Sequence, residues 1–139
     1  MNRLWRIIEK EKIRVEYADM SDIPERPKGL YMYDPNTGPI IILDIKMTGR
    51  ILKCVLAHEI GHFYTSPRTN ILKAYTSTNQ RTQIAQDERN ALEWACSFLM
   101  PNVEFCRALS DGYTDAYNLA GYFDVTEWMV HRKFGFITK

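Results

Sequence analysis

Apolar residues recur at helical spacing near the start of the chain. Leu4, Ile7 and Ile8 share one side of a charged stretch, which predicts an amphipathic helix over residues 3–12. From Ile13 the rhythm changes to I-R-V-E-Y-A, a period of two that predicts a strand over 13–18. Pro24 and Pro27 mark a loop. Two further strands, 29–33 and 39–44, bracket D-P-N-T-G-P and read as a hairpin around a turn. The I-I-I-L run in the second is apolar enough to be a covered strand.

Helical spacing returns after Thr48 and Gly49. Ile51, Cys54, Val55, His58 and His62 fall in one narrow stripe at about 100° per residue, with Lys53 opposite. The histidines are therefore expected to continue a buried stripe. Pro67, behind Thr65 and Ser66, is the predicted stop. A second long helix is predicted over 81–100, ended by Pro101. Its residues Ile84, Ala91, Leu92, Ala95, Phe98 and Leu99 cluster on one side. Strands followed by helices, without β-α-β alternation, predict the α+β class. The expected architecture is a small antiparallel sheet packed on the first long helix, followed by the second and by short C-terminal helices. A chain of 139 residues is expected to form one domain and is long enough for a real core, with 45% apolar residues.

His58, Glu59, Ile60, Gly61 and His62 spell H-E-x-x-H. On a helix the two imidazoles lie four residues apart on one face, close enough to hold one metal ion. Glu59 projects beside them, placed to take a proton from an attacking water. This is the two-histidine pattern of zinc metallopeptidases, in which the glutamate is a base and not a ligand. The chain has three histidines, and the motif uses two. The plain alternative is a pair of core histidines bonded to backbone groups. A catalytic zinc takes three protein ligands and keeps one position for water. Glu88 lies inside the apolar cluster of the second helix, where a carboxylate is costly unless paired or metal-bound, so it is the candidate third ligand. The alternatives are Asp87 as ligand, or a buried salt bridge from Glu88 to Arg81 or Arg107. Glu93 points away.

L-A-H-E-I-G-H-F-Y-T at 56–65, E-R-N-A-L-E-W-A-C-S-F-L-M-P at 88–101 and L-A-G-Y-F-D-V-T-E-W-M-V at 119–130 together resemble the ImmA/IrrE family of small metallopeptidases. The resemblance spans roughly residues 30–134. It implies a minimal zincin-like fold, one Zn²⁺ ion, and a metal-ligand role for the E-x-x-A glutamate, which is Glu88 here. The family often has Asn and Phe where this chain has Leu92 and Trp94, a packing difference that leaves the ligands unchanged. Its members are often encoded on phages and other mobile elements beside a repressor gene. The implied partner is thus a protein substrate, a repressor or other transcriptional regulator.

The remaining features change the picture little. A formal charge of +1 gives no general pull toward nucleic acid or membrane. No apolar run is long enough to span a bilayer, and residues 1–14 are too charged for a signal peptide, so the cytoplasm is the expected compartment. Cys54, Cys96 and Cys106 are odd in number and form no C-x-x-C pair, so no disulfide framework is expected. Cys54 lies one turn before His58, where core packing is the favoured role over a metal contact. The polar segment 66–80 carries Lys73 and Tyr75 and reads as an active-site rim or a connection. Tyr64, Tyr75 and His131 could each steady an oxyanion, but packing or solvation is the simpler role for all three.

Residues 114–137 have the cadence of a helix-turn-helix, with Thr126 as a cap. A DNA-binding regulator with a structural metal is therefore the competing class. Packing of Leu119, Phe123, Val125, Met129 and Val130 over the metal helices explains the same residues, so nucleic acid is not the expected partner. Nothing in the sequence speaks to oligomeric state.

Overall fold

The computed structural model describes residues 1–22, 28–66 and 78–138, with backbone alone for 78–84. In chain order these form α1 (Asn2–Glu11), β1 (Arg14–Ala18), β2 (Gly29–Asp34), β3 (Gly38–Asp44), α2 (Gly49–Thr65), α3 (Thr78–Leu99), α4 (Asn102–Ser110), α5 (Ala116–Phe123) and α6 (Glu127–Ile137). The predicted loop at Pro24 and Pro27, the stop at Pro67, and Lys73 and Tyr75 lie outside the described residues, as do the side chains of Arg81 and Ile84.

Local chemistry explains the element boundaries. Lys12 closes α1 in the left-handed region, at φ 56°. Ile13 N–H then donates to the Ile8 carbonyl at 3.0 Å, a Schellman-type bond that folds Ile13 back into the core beside Ile8. The hairpin turns at 35–37, where Asn36 N–H donates to Asp34 Oδ1 at 2.8 Å and Gly38 takes φ +86°. Asp115 caps α5 by accepting from Asn118 N–H at 2.7 Å, and Thr126 caps α6 by accepting from Met129 N–H at 3.2 Å.

The α+β class is as expected, but the sheet is mixed and not wholly antiparallel. Its order is β1-β3-β2. β2 and β3 pair antiparallel, with Tyr31 opposite Ile41, whereas β1 pairs parallel to β3, with Val15 opposite Ile41. The hairpin dictates only the first pairing. Alternation says which residues face inward and nothing about strand direction. The most apolar strand takes the centre, and there Ile41 and Leu43 are fully buried.

α2 runs against the sheet on one side and α3 on the other. It is not the one-striped helix that the periodicity predicts. Leu56, Ala57 and Ile60, roughly half a turn round from the histidines, are fully buried and belong to the main core. Lys53 lies on that side too: its Nζ donates to the Phe123 carbonyl at 3.3 Å and sits 3.7 Å from Asp124 Oδ2. The histidine stripe is a second face, and it opens outward at Ile51, which is 46% exposed. α2 is therefore covered on two sides, one apolar and one chemical.

The C-terminal helices close the core. Leu119, Ala120 and Phe123 of α5 and Met129 and Val130 of α6 are buried within it, and α6 packs against α3. The helix-turn-helix cadence is real, and its apolar faces serve packing. Cys54, Cys96 and Cys106 are free thiols, the first two buried. Among the described residues no helix is long and apolar enough to cross a membrane.

Candidate metal centre

α2 and α3 come into tight contact at Gly61, where α2 has no side chain. A Cβ on Gly61 would fall onto the carbonyl of Ala91 and 3.1 Å from its Cα. Only glycine allows this contact, so Gly61 acts in helix packing and not in admitting substrate. The contact holds Glu88, one turn before Ala91, opposite the two histidines.

The three side chains meet. Glu88 Oε2 lies 2.9 Å from His58 Nε2, and Glu88 Oε1 lies 3.0 Å from His62 Nε2. The imidazole centroids are 4.9 Å apart. One donor atom from each of His58, His62 and Glu88 lies within 4.8 Å of the others, so the trio can hold a metal ion. His62 is 1% exposed, while the Glu88 side chain is 39% exposed at the open side of the site. His58 Nε2 is buried and, despite its short approach to Glu88, makes no aligned hydrogen bond. At His58, closeness with poor alignment is what two ligand atoms turned toward a shared point produce, while His62 Nε2 stays within hydrogen-bond reach of Glu88. Two imidazole nitrogens and one carboxylate oxygen also match the donor set of a catalytic zinc site, with one position left over.

The family model of the IrrE N-terminal-like domain, Peptidase_M78, matches residues 8–134. The chain belongs to this family. The family assignment supports a metallopeptidase, and the trio fits the metal such an enzyme needs. A search of curated proteins gave no match.

Within this IrrE-like domain Glu59 is 4% exposed, with its Oε2 3.7 Å from His58 Nδ1. Burial raises its pKa, opposed by the neighbouring imidazoles. Burial alone would depress His58, yet the carboxylates of Glu88 and Glu59 outweigh it and the pKa is raised. For Glu88, burial pushes upward but the two imidazoles prevail and hold it well below the usual carboxylate range. A bound divalent cation would dominate this balance, favouring neutral imidazoles and ionised carboxylates.

Of the alternatives for Glu88, the structure speaks against Arg107 and Asp87, while the Arg81 side chain lies outside the described residues. The Glu88 carboxylate faces the imidazoles, and Arg107 is exposed on α4. Asp87 is buried but is not among the converging donors. Cys54 is turned to α6 and accepts from Thr126 N–H at 3.5 Å. Tyr64 donates to Glu11 Oε2 at 2.8 Å and lies 5.1 Å from the Trp94 ring, a packing role against α1 and α3. Burial, with Glu11 beside it, lifts its pKa to about 12. His131 is exposed on α6.

Two residues of β2 complete the centre, and motif reading passed over both. The Tyr31 ring stacks on His62 at 6.4 Å and 11°, and burial raises its pKa to about 12. A Cβ on Gly29 would fall 2.7 Å from Val55 Cγ1 and 3.2 Å from Glu59 Oε2, so this glycine brings the strand against the motif glutamate. The signal was available in G-L-Y, since positions 29 and 31 share a strand face.

Proposed function

We propose that the chain is a zinc-dependent metalloendopeptidase that hydrolyses a peptide bond in a specific protein. The substrate class is a helix-turn-helix repressor of a phage or mobile element, so that cleavage relieves repression. The convergence of His58 Nε2, His62 Nε2 and the Glu88 carboxylate on one point carries this reading. A structural zinc normally fills all four positions with Cys or His, whereas this trio leaves one for water and substrate. The ImmA/IrrE resemblance supplies the substrate class.

His58, His62 and Glu88 would hold the ion, which supplies a Lewis acid to polarise the scissile carbonyl and bring the pKa of water from about 16 to about 7. The Glu59 carboxylate accepts the proton of the attacking water and passes it to the nitrogen of the leaving amine. Burial of Glu59 keeps it from competing solvent. The peptide lies extended beside the motif. The sequence suggests the 39–44 strand as its template, but β3 is the centre of the sheet and is paired on both sides. β2 is the end strand that packs on α2, so the substrate adds to β2 by main-chain hydrogen bonds.

The test is to mix the purified, zinc-loaded chain with candidate helix-turn-helix repressors, beginning with any that is encoded nearby. A discrete fragment should appear, and should vanish with a chelator or with Glu59→Gln. A fragment that persists with Glu59→Gln removes this mechanism. The competing class, a DNA-binding regulator, requires tight and salt-sensitive binding of the isolated chain to random duplex, and we expect none.

A further inference from the structure

We infer that the pocket beside His58 receives a bulky apolar side chain of the peptide being cut, and so selects the cleavage position. This rests on the peptidase reading above and adds the residue type that the enzyme takes. The pocket is about 480 Å³ and shares His58 with the metal centre. Its walls are Ile51 and Val55 of α2, Leu92 of α3, and Trp128 and Met129 of α6. That volume and apolar lining belong to ligand pockets, not to packing defects.

Deep in the pocket the polar groups of Thr126 and Cys54 are engaged with each other and with Met129, while Lys28 stands at the rim and His58 belongs to the metal centre. The Thr126 hydroxyl accepts from Met129 N–H at 3.2 Å and lies 3.8 Å from Cys54 Sγ, which in turn accepts from Thr126 N–H. Burial raises the Cys54 pKa, so the thiol stays neutral. At the mouth, Ile51 and Trp128 are 46% and 56% exposed. Folding leaves these two large side chains in water although both border a cavity. An apolar occupant would cover them.

Position identifies the occupant as substrate. Lys28 stands at the rim and immediately precedes Gly29, the first residue of β2. Gly29 in turn abuts Val55, a pocket wall, and Glu59. A peptide strand paired along β2 and running past Gly29 therefore leaves the metal centre directly over the pocket. Successive side chains of a strand alternate in direction, so one residue near the scissile bond points in.

The test uses zinc-loaded Glu59→Gln protein, which binds without cutting, and the peptides acetyl-Ala-Ala-X-Ala-Ala-amide. With X as Phe or Leu, the Trp128 indole and the Ile51 and Val55 methyl signals should shift in NMR titration. Affinity should exceed that for X as Gly by at least about tenfold. Ile51→Asp, a change at a half-exposed position, should erase that ratio while zinc content by elemental analysis stays the same. Equal affinity for Phe and Gly peptides, or shifts confined to other parts of the molecule, would overturn the pocket. Zinc content reports separately on the peptidase reading. An apolar preference kept by a chain that takes up no zinc supports the pocket and removes the metal centre.

Discussion

Among the described residues, charge-bearing side chains are buried between α2 and α3 and beneath α6, and these two regions are settled in different ways. Under α6, Lys133 is 1% exposed. Its Nζ donates to Asn102 Oδ1 and lies 5.8 Å from the Phe105 ring centroid. The chain itself provides the partner there, and burial lowers the lysine pKa. Between α2 and α3, the imidazoles and the Glu88 carboxylate lie close together, yet His58 Nε2 and His62 Nδ1 have no aligned hydrogen bond among the described residues. Polar groups that a fold satisfies internally have a structural use. Polar groups gathered and left incomplete mark where something outside the chain belongs.

The largest expected effect lies at the incomplete site. Glu59→Gln should lower cleavage by about a thousandfold while zinc content by elemental analysis stays at one ion per chain. Glu88→Ala should lose the zinc, whereas Asp87→Ala should keep it even if the fold weakens. Unchanged zinc in Glu88→Ala would move the third ligand elsewhere.

Chelation comes next. With free zinc at a hundred times its dissociation constant, linkage stabilises the fold by about 2.7 kcal/mol, so a chelator should lower Tm by roughly 5–10 °C. An unaltered melting curve would point to a weak or empty site.

Gly61→Ala should destabilise by about 1–3 kcal/mol and weaken zinc binding as well, because the helices must part to clear the Ala91 carbonyl. Gly121→Ala, exposed on α5 with nothing within 4 Å of the added Cβ, should instead stabilise by up to about 1 kcal/mol without touching zinc. Paired melts and zinc titrations separate a general packing effect from one directed at Glu88.

The smallest effect is expected under α6. Lys133→Met should range from neutral to about 2 kcal/mol stabilising, with zinc content unchanged. The folded pKa of Lys133 is lowered, so the unfolded chain binds the proton more tightly and the ionised lysine opposes folding at neutral pH. The advantage of Met should therefore shrink as pH rises toward the ordinary lysine value. Melts across alkaline pH read this directly, and a loss of zinc in Lys133→Met would show the two regions to be coupled.

Much of this was legible along the chain. The α1 helix, the hairpin, the I-I-I-L strand and both long helices follow from local periodicity and turn chemistry. The motif spacing put His58, Glu59 and His62 together, and helical phase picked Glu88 over Glu93. What failed was any inference that needed a third dimension. Helical phase puts Lys53 opposite the histidine stripe, as it is, but that side of α2 is also covered, and Lys53 bonds there to the Phe123 carbonyl. That the 39–44 strand is the paired centre of the sheet, and so cannot template a peptide, depends on strand order, which periodicity does not give. The need for glycine at position 61 follows only from Ala91 lying against it.

The sequence by itself determined the candidate ligand types, their spacing on each helix and the family, since these depend on residues one or two turns apart. Tertiary structure alone decided that the helices approach at Gly61 and Ala91, that Tyr31 and Gly29 wall the centre, and that an apolar pocket opens beside His58. The reason is physical: hydrogen-bonded turns are governed by neighbours within about four residues, whereas close approach, sheet order and cavities depend on segments far apart in the chain.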